Sequence, residues 1–141
     1  MANTIQCNIV SAEREIFSGL ATLVIVSGEV GELGIAPRHA PLITRIKPGQ
    51  VRVLNGDAPE QHFYVSGGIL EVQPDLITVL SDTALRASDI DEAQAQQAKE
   101  EAERLIAGRG KEMDLAAAQQ QLMQAVAQLQ ALERLRKNLK H

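Results

Sequence analysis

Residues 1–87 predict an antiparallel β-sandwich or flattened barrel, and residues 88–141 predict an antiparallel two-helix hairpin. Three observations carry this. All five prolines, all three aromatics and eight of the ten glycines precede residue 88. The 54 residues after that point hold 11 Ala and 9 Gln, no Pro, no Thr and no aromatic, and only Ile90, Ile106 and Val126 are β-branched. Helix formers thus replace strand formers at one place in the chain. Finally, the apolar spacing changes from short alternating runs to a repeat of three and four.

In the first part, Ile5, Cys7 and Ile9 alternate with polar residues, and residues 21–26 form a continuous, mostly β-branched run. Further strands are expected at 42–46, 51–54, 62–66, 69–73 and 76–80. Pro48-Gly49, Asn55-Gly56-Asp57, Gly67-Gly68 and Pro74-Asp75 separate them as reversals or kinks. Many short strands at this spacing favour a sandwich or barrel. Gly28, Gly31 and Gly34 recur every third residue, which suits tight turns or bulges and matches no dinucleotide fingerprint.

In the second part, Ser88 or Asp89 can cap a first helix, with Asp91 or Glu92 three residues on. Ala95, Ala98, Ala102 and Leu105 line one face, and Lys99–Glu103 and Glu100–Arg104 are i,i+4 pairs on the other. Ala107-Gly108-Arg109-Gly110 ends that helix, and Asp114 can cap a second one. Leu115, Ala118, Leu122, Ala125, Leu129, Leu132 and Leu139 then mark a pairing seam, interrupted by Arg136. An alanine–leucine seam buries little area and contributes a few kcal/mol at ~25 cal/mol/Å². Such a hairpin could open if another surface covered its apolar stripe.

The net charge of −4 gives no overall attraction to a phosphate backbone, and 2% aromatics leave few rings for stacking. Residues 133–141 nevertheless carry Arg134, Arg136, Lys137 and Lys140 against Glu133. Complementing the helix dipole accounts for such a basic end; presentation to an acidic partner is the sharper alternative. Residues 1–6 lack the basic start and apolar run of a signal peptide, and no apolar stretch approaches the ~18 residues of a membrane span. Cys7 reads as a small buried hydrophobe. His39, His62 and His141 show no metal-ligand spacing, Ser66 lacks the glycine that a nucleophile elbow needs, and no phosphate-cradling loop occurs. The residues alone indicate a binding or interaction protein with no metal.

Two segments are more specific. Gly31-Glu32-Leu33-Gly34-Ile35-Ala36-Pro37-Arg38-His39-Ala40-Pro41-Leu42 and Tyr64-Val65-Ser66-Gly67-Gly68-Ile69-Leu70-Glu71-Val72 closely resemble the epsilon-subunit family of bacterial F-type ATP synthases, over essentially the whole chain. That family usually has Gly where Arg38 stands. The resemblance implies a β-sandwich of about ten antiparallel strands over residues 1–87, docking on the gamma subunit and the c-subunit ring. It also implies a regulatory hairpin over residues 88–141, in a non-catalytic central-stalk subunit that couples proton-driven rotation to ATP synthesis. The implied location is peripheral, without lipid insertion, on the cytoplasmic face of the bacterial inner membrane. Glu32, Arg38 and His39 become candidates for ring or gamma contact. Helices that are compact or extended in the family can restrain hydrolysis, and Arg134, Arg136 and Lys137 would then latch onto acidic segments of the alpha/beta catalytic head.

Some members bind ATP through Ile/Leu-Asp-x-x-Arg-Ala. Here the match is Ile90-Asp91-Glu92-Ala93-Gln94-Ala95, and Gln94 removes the cation that would face phosphate. Weak or absent ATP binding is expected, hence no cofactor, with Asp91 a first-turn helix carboxylate. A generic adaptor of another assembly explains the organisation but not the two motifs. A small sandwich enzyme lacks a nucleophile, metal cluster or acid–base pair.

Overall fold

The structure is a computed structural model that describes residues 3–108 and 112–139, with side chains given for all of these except 112–114, 138 and 139. Nine strands are present among the described residues: β1 (Ile5–Ser11), β2 (Glu15–Ala21), β3 (Leu23–Gly28), β4 (Glu32–Ile35), β5 (Leu42–Leu54), β6 (Gln61–Val65), β7 (Gly68–Gln73), β8 (Leu76–Ser81) and β9 (Ala84–Arg86). A 3₁₀ turn (Ala87–Asp89) leads to α1 (Glu92–Ala107) and α2 (Glu112–Leu139).

β5 builds the sandwich. Residues 42–46 pair with β7, whereas Gly49–Val53 pair with β6, so one strand serves both layers. The first layer runs β2-β1-β8-β7-β5 and the second β4-β3-β5-β6-β9. Pro48-Gly49 therefore does not separate two strands. It sits where β5 changes partners, the position at which a missing N–H donor is tolerated. The expectation of a wholly antiparallel sheet fails at one place, since β1 and β8 pair in parallel, Gln6 opposite Leu76 through Ser11 opposite Ser81. The apolar run at 21–26 is likewise broken at Thr22, whose hydroxyl and N–H both donate to the Leu54 carbonyl.

Alternation sends one side of each layer inward. Ile9, Leu70 and Val79 of the first layer meet Val24, Val26, Val51, Phe63 and Val65 of the second, all essentially inaccessible to water. Phe17 packs tilted against Phe63 at 5.2 Å between ring centroids, with the Arg86 guanidinium 5.4 Å from the centre of the Phe63 ring. Cys7 lies in the same core, where burial pushes its thiol up to about 12 and leaves it inert.

The Ser66-Gly67-Gly68 crossing is a structural lock. Ser81 Oγ lies 2.5 Å from the Gly67 carbonyl and 2.9 Å from that of Thr83, and it accepts from the Ser66 N–H at 3.2 Å. Gly68 has φ +144° and sits so close to β8 that a Cβ would lie 1.9 Å from the Leu80 carbonyl oxygen. Backbone packing thus explains this half of the sequence motif.

Asp91, expected in the first turn, is instead the N-cap of α1: its carboxylate accepts the Gln94 N–H at 3.1 Å. Ser88 and Asp89 belong to the preceding 3₁₀ turn. Gly108 closes α1, its N–H donating to the Arg104 carbonyl, while Arg109 and Gly110 lie outside the described residues. The backbone of α2 already begins at Glu112, so Asp114 falls within the helix.

Candidate functional site

The two outer faces of the sandwich differ in what covers them. On the second layer, Arg52 lies opposite His62 and Gln50 opposite Tyr64, which in turn lies opposite Leu85. All point away from the core, and α2 lies over this face, contacting β5, β6 and the 3₁₀ turn while also pairing with α1. The hairpin is therefore compact. Tyr64, Ala87, Ile90, Ala127, Ala131 and Leu132 form the buried dock, with Leu85 and Leu135 beside it.

Two different rows of α2 are consequently buried. Ala118 and Ala125 belong to the expected seam, and Gln121 adds an interhelical hydrogen bond from Nε2 to the Ala98 carbonyl at 3.3 Å. Ala127 and Ala131, four residues apart, form a second row against the sandwich. Alanine contributes little area per residue, and Gln50 Oε1 is enclosed without a hydrogen-bond partner among the described residues. The dock is a shallow one.

Its polar margin contains Arg134, Arg136 and Lys137. Arg136 makes a two-pronged ion pair with Glu92 of α1, in which the guanidinium holds the Glu92 carboxyl below its usual range. Lys137 lies 3.7 Å from Glu133 one turn away. Arg134 is half-buried beside Gln50, Arg52, Gln130, Glu133 and Lys137, around a crevice of about 460 Å³. Of the degenerate nucleotide motif, Ile90 is part of the dock and Ala95 is buried in α1. Asp91 is the cap, and Gln94 is exposed.

The outer face of the first layer is more exposed among the described residues. Val10, Leu80, Ile69 and Arg45 lie side by side across β1, β8, β7 and β5, with Ile43 two residues from Arg45 on the same face. Ile43 is 72% exposed, and Ile69 and Leu80 are each 44% exposed. Such a row marks an interaction surface more strongly than scattered single residues do. Local sequence reading missed it because outward and inward apolar residues look alike until register fixes the face.

Glu32 starts β4 beside Val30, which is fully exposed at the β3–β4 tip, and Arg38 and His39 lie in the turn that follows the strand's other end. Arg38 has φ +65° and follows Pro37, while the His39 N–H donates to the Ala36 carbonyl at 3.2 Å. Proline second and positive φ third is the type II arrangement, which favours glycine at Arg38. The Arg38 N–H donates to the Pro74 carbonyl at 2.9 Å, and His39 Nδ1 lies 2.8 Å from the Ala40 carbonyl. Turn geometry explains Pro37, while the exposed Glu32 and Arg38 side chains remain available for contact. Among the described residues, no group of three or more His, Cys, Asp or Glu could hold a metal, and no helix is long and apolar enough to cross a membrane.

Residues 4–87 match the family model for the β-sandwich domain of the ATP synthase delta/epsilon chain, and residues 88–133 match that for its long α-helix domain. The chain belongs to the delta/epsilon chain family of ATP synthases. Within it, the chain stands with the bacterial epsilon chains. It is 66% identical over 139 residues to the ATP synthase epsilon chain of Stenotrophomonas maltophilia and 64% identical to that of Xanthomonas euvesicatoria, covering 99% of either chain in each case. The fold recurs in a chain of the Euglena gracilis mitochondrial ATP synthase, at TM-score 0.72 and 18% identity, covering 99% of this chain and 83% of that one. A chain of the Tetrahymena thermophila mitochondrial ATP synthase central stalk and c-ring has TM-score 0.60 and 11% identity, covering 91% and 96%.

Proposed function

We propose that this chain is a non-catalytic central-stalk subunit that links c-ring rotation to ATP synthesis and restrains ATP hydrolysis by releasing its hairpin. The observation that carries this reading is the contrast between the two outer faces. One holds an alanine-rich helix by a shallow dock, and the other presents exposed Ile43, Ile69 and Leu80 beside a half-buried Val10. This row is the surface for the gamma shaft, flanked by Arg45 for polar contacts. The β3–β4 tip with Val30 and Glu32, and the turn with Arg38 and His39, meet the polar loops of the c-ring. Assembly there puts the chain on the cytoplasmic face of the bacterial inner membrane without entry into lipid.

In this reading the compact hairpin is the unrestrained state. Release breaks the Arg136–Glu92 pair and uncovers Arg134, freeing both cations, with Lys137, to meet acidic segments of the alpha/beta head. Replacing Arg134, Arg136 and Lys137 together with alanine should raise ATP hydrolysis by the reconstituted complex several-fold while the isolated chain stays folded. Unchanged hydrolysis with an intact sandwich would count against the latch.

Nucleotide binding is not part of this function. Asp91 is committed to capping α1, Ile90 to the dock, and the exposed Gln94 supplies no charge for phosphate. Calorimetric titration of the isolated chain with ATP should give no micromolar binding; a micromolar isotherm would refute the assignment.

A further inference from the structure

His62 occupies an unusual position for a titratable group. Its side chain is wholly enclosed, on the outer face of β6, two residues from Tyr64 and under α2. Arg52 lies directly opposite on β5, and Arg134 of α2 acts on the ring as a second cation. Glu60, just ahead of β6, is the counter-charge, with its carboxylate 3.7 Å from His62 Nε2. That carboxylate already accepts from Arg52 Nε at 2.5 Å. A proton on His62 would thus add a third positive charge beside two others, on a ring that is itself enclosed and has Glu60 as its counter-charge.

We infer that His62 makes docking of the hairpin pH-sensitive, so that mild acid favours release of α2 from the sandwich. In the docked state, desolvation first, then Arg52 and Arg134, hold the imidazole below its ordinary 6.5, with Glu60 opposing them. Once α2 leaves, the ring faces water and returns toward that value. Docking therefore expels a proton. The docked state keeps its full advantage above pH 6.5 and loses it as pH falls from there through the lowered docked-state value. The released-to-docked ratio should rise by at most about tenfold per pH unit in that window. The Glu92–Arg136 pair responds separately, because the guanidinium holds its carboxyl below the usual glutamate range, so that it protonates only in stronger acid.

The chain carries its own reporter. Tyr64 is its single tyrosine, there is no tryptophan, and the ring is buried in the dock. Acrylamide quenching of Tyr64 fluorescence in the full chain, from pH 7.5 to 5.0, should increase with a one-proton profile while far-UV circular dichroism keeps the strand signal. His62→Gln should flatten that profile. If His62→Gln does not fold, Arg134→Gln serves instead: removing one repelling cation should make the profile shallower. A flat wild-type profile would overturn the inference, as would a profile unchanged in whichever of these variants folds. The docking equilibrium belongs to the isolated chain, so this result is independent of whether the released hairpin restrains hydrolysis.

Discussion

Replacing Gly68 with alanine should destabilise the sandwich by about 3 kcal/mol or more, lowering the melting temperature by roughly 10 °C or more. The added methyl meets a backbone oxygen of β8 at 1.9 Å, and φ +144° is a conformation that L side chains rarely adopt. Neither can be relieved by a rotamer change. Gly68 pairs with Ile46 on one side and Ser81 on the other, so moving it disturbs β5 and β8 together. A thermal melt followed by circular dichroism checks this, and a drop of only a degree or two would show that the crossing is softer than its packing implies.

The second large effect is conformational. Ala131→Glu places a carboxylate where the native residue is fully buried beside Tyr64 and Leu132. Burying an unpaired charge there costs several kcal/mol, comparable with or above what a mostly alanine dock supplies. The expected outcome is a folded sandwich with a released hairpin: Tyr64 open to quencher at neutral pH, and strand content retained. In the reconstituted complex the same variant should hydrolyse ATP more slowly, since the restraining state is favoured. The two substitutions therefore separate the parts of the molecule, one attacking the platform and the other only its attachment to α2.

The parts legible in sequence were those set by local physics. The change from strand to helix formers marks where the sheet gives way to the hairpin, and Ile5, Cys7 and Ile9 face inward in β1 as their alternation requires. β2 shows no clean apolar face in sequence, because Ser18 and Gly19 interrupt it and Ala21 is its one buried residue. β4 and β9 are too short to show a period. Pro48 ordinarily ends a strand, so the sequence predicts two strands where β5 runs unbroken, and nothing local reveals that the strand changes partners there. The parallel pairing of β1 with β8 joins segments about 70 residues apart, beyond any periodicity. The row Ala127 and Ala131 was missed because alanine signals burial weakly and a neighbouring row already explained the hairpin.

The functional surfaces were less legible for the same reason. Arg134, Arg136 and Lys137 stood out as a charge run, but Glu92, the partner of Arg136, is 44 residues away. His62 carried no motif. Its importance comes from an opposing arginine on β5 and a helix folded back over both.

The account rests on α2 being able to leave the sandwich. Leu85 of β9 and Leu135 of α2 both border the dock, so substituting them with cysteine and bridging them with a thiol crosslinker tethers sheet to helix; Cys7, buried and with its thiol pushed up to about 12, does not compete. ATP hydrolysis by the reconstituted complex, measured before and after tethering, is the direct test. The account predicts that tethering raises hydrolysis to the rate of a complex whose chain ends at residue 87. If the tethered complex stays as restrained as the untethered one, the hairpin acts without moving, and the release mechanism is wrong.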